Sequence, residues 1–115
     1  MKIMKALYRL QCAAEEALSP WEATDKMGDL HILLRLNTDP EEKAAIAFLG
    51  DIVNKTATTI IQYRLDRTDD LTGMEDPGAR ERCISFWNDK ITAQTELSEA
   101  AQALIAVIYE LIKGN

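Results

Sequence analysis

All three prolines of this chain directly follow a residue that caps helices: Ser19-Pro20, Asp39-Pro40 and Asp76-Pro77. Proline suits the first helical position, where the amide hydrogen it lacks would have no intrahelical partner. Serine and aspartate suit the position before it, since their side-chain oxygens accept hydrogen bonds from the first-turn amides. The three pairs divide the 115 residues into four segments, and each segment carries a helical pattern. Five glycines are too few for a chain of many tight turns, which argues against an all-β fold.

The first segment predicts a helix from about Lys2 to Leu18. Ile3, Leu7, Leu10, Ala14 and Ala17 alternate in steps of four and three and give one apolar seam. The second begins at Ser19-Pro20-Trp21-Glu22, a capping-box spacing. Its seam is Ala23, Met27, Leu30 and Leu34, widened by Ile32, Leu33 and Leu36, with Gly28 a point of weakness and Asn37-Thr38 the stop. The third begins at Asp39-Pro40-Glu41-Glu42 and places Ala45, Ile46, Leu49, Ile52, Val53, Ile60, Ile61 and Leu65 on one face. It is expected to end near Arg67 to Asp70. Thr56 to Thr59 is a weak stretch, because threonine loses side-chain freedom in a helix. Asp69 to Asp76 reads as the one clear loop.

The fourth segment has no further proline, and no glycine between Gly78 and Gly114. Ile84, Trp87 and Ile91 set one seam; Leu97, Ala101, Leu104, Ile108 and Leu111 set another in a different register. A kink or a change of packing partner is therefore expected between Thr92 and Glu96. The third and fourth helices would be about 45 and 55 Å long at 1.5 Å per residue. A compact domain of this size has a radius of gyration of only about 13 Å. The expected fold is all-α, a single domain over residues 1–115. It is a four-helix bundle in which two shorter N-terminal helices pack on a long antiparallel helical hairpin. The apolar run Ala103 to Tyr109 covers every side of its helix and implies burial on more than one side, most simply in a homodimer.

Composition narrows function by exclusion. Aromatics are 6% of the chain, so the core must be largely aliphatic. Net charge is −6, and residues 37–76 hold four basic against nine acidic groups. Such a balance argues against phosphate neutralisation, hence against nucleic acid as a partner, and against an anionic membrane surface. Arg80 and Arg82 straddle Glu81 after an acidic loop, a pattern expected to form local salt bridges rather than a recognition helix. The N-terminal run is interrupted by Arg9 and Gln11, which suits an amphipathic helix and not a signal peptide. No uninterrupted apolar run reaches the ~18 residues that span a bilayer. Cytoplasmic location is the expectation.

Catalytic inventories come up short. Cys12 and Cys83 form no metal spacing and are expected to be buried thiols. His31 has no nucleophile or orienting partner in any motif and is expected to be structural. The acidic loop fails as a calcium loop, because with Gly73 at the sixth position Ala79 takes the place of the bidentate glutamate. No cofactor is implied, and no catalytic or metal residue is assigned. One enzymatic alternative is an all-α, magnesium-dependent nucleotide pyrophosphohydrolase. It would use the acidic helix pairs Glu22 with Asp25 and Glu96 with Glu99, with Asp51 as a third acid near a core face. The favoured reading is a small interaction or regulatory protein without catalysis. Its partners are itself and another protein, and its contact surface is drawn from Trp21, Trp87, Ile105, Ile108, Tyr109 and Ile112.

Overall fold

The computed structural model describes the backbone of residues 2–36 and 39–113, and the side chains of these except 33, 35, 36 and 39–41. Four helices account for nearly all of it: α1 (Lys2–Ala17), α2 (Pro20–Leu36), α3 (Asp39–Leu71) and α4 (Pro77–Lys113). The described residues contain no strand.

Two of the expected caps are in place. Ser19 Oγ accepts from the Glu22 amide at 3.3 Å, and Asp76 Oδ2 accepts from the Ala79 amide at 2.8 Å. The Asp39 cap, the stop at Asn37-Thr38 and the packing of Leu33 and Leu36 fall outside the described residues. α2 passes through Gly28 without a break, and α3 passes through Thr56–Thr59. There the Thr56 and Thr58 hydroxyls donate to the carbonyls of Val53 and Asn54, at 2.7 and 3.2 Å.

α3 runs on to Leu71, so the connection is Thr72–Asp76, shorter than the sequence suggests. Its last turn is held from outside. Arg80 Nη1 donates to the carbonyl of Leu71 (3.0 Å), the last residue of α3, and to that of Met74 (2.8 Å) in the connection, so this cation serves backbone carbonyls rather than a carboxylate. Gly73 adopts φ +81°, the left-handed conformation that lets the chain leave the helix.

The most extensive contact is between α3 and α4; α1 packs on α4 and α2 on α3. The core is aliphatic, as composition requires. Leu10, Leu30, Leu49, Leu97, Leu104 and Ile108 are its largest fully buried side chains, and alanines such as Ala14, Ala45, Ala100 and Ala101 let the helices approach closely. None of the seven aromatic residues is buried. The α1 and α2 seams fall where spacing put them, apart from Ile32, which is exposed. It sits two residues from Leu30, roughly 200° around the helix.

α4 is one uninterrupted helix. Between Thr92 and Glu96 its surroundings change: Gln94 is its first buried residue, and its side chain meets the end of α1. The molecule measures 59 × 21 × 21 Å with a radius of gyration of 17.1 Å. A compact domain of this length would have a radius of about 13 Å.

Candidate interaction surface

The core stops abruptly. On α3 the last buried residue is Thr56, and on α4 the first is Gln94; between residues 57 and 93 nothing is buried. This arm comprises the second half of α3, the connecting turn and the first half of α4. It lies beyond the reach of α1, which ends at Ala17, where Gln94 meets it.

Contacts inside the arm set its register. Lys90 Nζ lies 5.3 Å from the Tyr63 ring, Arg67 Nη1 donates to Asn88 Oδ1 at 2.6 Å, and Trp87 Nε1 donates to Asp70 Oδ2 at 2.8 Å. Trp87 also contacts Tyr63 and Phe86, with ring centroids 5.6 and 5.2 Å apart. Lys90 spans all three rings, 5.0–5.3 Å from their centroids, a cation–aromatic arrangement that shields part of this cluster.

Apolar side chains remain in water around the arm. Ile61, Leu65 and Phe86 are each more than half exposed, and Ile84 is 38% exposed. Tyr63 faces Trp87, so Ile61 and Leu65, two residues to either side of it, turn roughly 160° away, onto the outer side of α3.

The six residues singled out from sequence separate into different environments. Trp87 is half-buried inside the arm. Ile108 is part of the core, and Ile105 and Ile112 are half-buried against that core. Within Ala103–Tyr109, Leu104 and Ile108 are buried, Ala103, Ile105 and Val107 are half-buried, and Ala106 and Tyr109 are exposed. Tyr109 is about half exposed, and Trp21 is 79% exposed. Sequence reasoning did not single out Tyr63, Phe86 and Lys90. Tyr63 lies 27 residues from Lys90 and 24 from Trp87, so its place beside them is hidden from any local pattern, although Phe86 and Lys90 stand at the helical spacing of four.

The chemical candidates do not converge. Glu22 borders a groove with Lys26 and Lys55, whereas Glu96 and Glu99 border another with Tyr8, Arg9 and Glu16. Glu99 pairs with Arg9 at 3.8 Å, and Asp51 is exposed rather than near the core. Among the described residues, no three His, Cys, Asp or Glu side chains form a group able to hold a metal ion. His31 is exposed on a groove of about 400 Å³ beside Gln11, Glu15 and Met27. Cys12 is exposed and Cys83 half-buried, so neither is the buried thiol expected; both sit off the tightest seams.

One property appears only when α3 is taken whole. An 18-residue window within Glu42–Leu71 has mean hydropathy 1.3 and 22% of its residues buried. By length and composition alone this helix is therefore able to cross a membrane, although no unbroken apolar run announces it. Compared with known proteins, the chain matches no family model, no curated protein and no solved structure.

Proposed function

We propose that this chain is a small interaction protein, regulatory rather than catalytic, which acts in the cytoplasm by binding protein through the arm formed by residues 57–93. In this reading α3 and α4 form an antiparallel hairpin. α1 and α2 pack on one end of it to complete a four-helix bundle, and the other end stands free for contact. The supporting observation is that no residue of the arm is fully buried, together with the apolar side chains exposed there. Tryptophan and tyrosine are enriched at the energetic centres of protein interfaces, and in the arm Trp87 contacts both Tyr63 and Phe86.

The test compares tagged copies in the native cell. Leu65→Asp/Phe86→Asp alters the arm, and Tyr109→Asp alters an exposed aromatic outside it. The arm variant should lose its co-purifying proteins by about tenfold or more, while the Tyr109 variant keeps them. Retention of the full set by a correctly folded arm variant would contradict the proposal.

A further inference from the structure

We infer that the arm is covered by a second copy of this chain, laid antiparallel, so that the Thr72–Asp76 turn of each copy seats at the foot of the other's arm. This rests on the reading of residues 57–93 as the binding surface and names the occupant.

Area supports a stable pairing. A compact monomer of 12.9 kDa exposes roughly 6300 Å². This chain exposes 7593 Å², about 1300 Å² more. A standard interface removes roughly 800 Å² from each partner, and obligate homodimers remove more. The excess is thus of the size one subunit loses in a stable dimer.

Length supports a copy of the same arm. The uncovered parts of α3 and α4 are about 22–25 Å long, and α1, which covers α4 at the other end, is about 24 Å. A second arm supplies two helices of matching length. Antiparallel, two-fold overlap of identical arms brings each turn to the other's foot, as an isologous contact requires.

Charge selects that orientation. Residues 66–82, around the turn, hold six acids (Asp66, Asp69, Asp70, Glu75, Asp76 and Glu81) against three arginines. Arg80 is engaged with backbone carbonyls, and Asp69 and Glu75 are exposed. At the foot is a groove of about 400 Å³ lined by Lys26, Lys55, Thr56, Thr59 and Gln94, with Glu22 its one acid. Antiparallel arms bring the acidic turn to these lysines. Parallel arms would set turn against turn, acid against acid, which disfavours that pairing.

Light scattering on a sizing column, over a concentration series of the full chain, should give a mass twice 12.9 kDa. Lys26→Glu/Lys55→Glu alone and Asp69→Lys/Glu75→Lys alone should each weaken the dimer about tenfold or more. An equal mixture of the two variants should dimerise again, since every foot then meets a turn of opposite charge. Circular dichroism confirms that each variant remains helical. A wild-type chain that stays at 12.9 kDa throughout would overturn the inference, as would a dimer insensitive to both charge reversals. If the wild type is monomeric while Leu65→Asp/Phe86→Asp still loses its co-purifying proteins, the second copy is refuted and the arm as binding surface stands.

Discussion

Gln94 Nε2 donates a 3.1 Å hydrogen bond to the carbonyl oxygen of Ala17, the last residue of α1. The glutamine is 4% exposed, so the bond forms where water does not compete freely. It satisfies a helix-terminal carbonyl and marks the level at which the covered half of the molecule ends. Replacing Gln94 by alanine leaves that carbonyl without its partner, a loss of about 1–3 kcal/mol. Thermal unfolding should move down by roughly 5 °C per kcal/mol. An unchanged midpoint would show that water replaces the side chain without loss.

The two halves should respond differently to truncation of apolar side chains. Leu104 is fully buried, and Leu104→Ala should destabilise by about 2–5 kcal/mol in denaturant unfolding. Ile61, 59% exposed, has little to lose within one chain. Ile61→Ala in dilute protein should stay within about 0.5 kcal/mol of wild type.

Alanine should have opposite effects at two glycines. At Gly28 an added methyl group meets nothing within 4 Å inside a continuous helix, so Gly28→Ala should stabilise by about 0.5–1 kcal/mol. At Gly73 the space is equally open, but φ is +81°. There Gly73→Ala should cost about 1–2 kcal/mol. Urea midpoints of the two variants, measured side by side, check both signs.

Tyr8 carries a pH-dependent contribution. A side-chain hydrogen bond with Cys12, and after it the charge of Cys12, hold its phenol above the ordinary value of 10.0, with desolvation and the charge of Glu15 adding less. The folded pKa is the higher one, so the stabilisation is complete below the unfolded value and is lost as pH rises through the folded value. Absorbance titration at alkaline pH should show one tyrosine ionising late in the wild type, and Cys12→Ala should bring it back toward the others.

Features that depend on neighbours in sequence were legible in it. Ser19 and Asp76 cap helices through bonds that span three residues. Leu7, Leu10, Leu30, Leu49, Leu97 and Leu104 are buried where helical spacing put them, whereas Leu65 and Leu111, placed on seams by the same spacing, are exposed. Even some departures follow from that spacing. Trp21 lies two residues before Ala23, Ile32 two after Leu30, and Cys12 two from both Leu10 and Ala14. Each is therefore turned roughly 200° from its helix's buried seam and left in water. What sequence could not supply depends on distant partners. The end of α3 at Leu71 is held by Arg80, nine residues on, which donates to that residue's carbonyl. Gln94 is buried because a helix that begins at Lys2 happens to end beside it. Tyr63 joins Phe86, Trp87 and Lys90 only once α3 and α4 are set in register.

The pairing of α1 with α4 also has a consequence for synthesis. Lys2 lies 3.6 Å from Glu110, Arg9 lies 3.8 Å from Glu99, and Ala17 meets Gln94, so α1 depends on α4, which is made after it. On a ribosome adding roughly 5–20 residues per second, several seconds separate the two. During that interval Leu7 and Leu10 have no α4 to cover them. α3 and α4, joined by a five-residue connection, have far less loop entropy to lose in meeting. The apolar seam of α1 is thus exposed until α4 has been made.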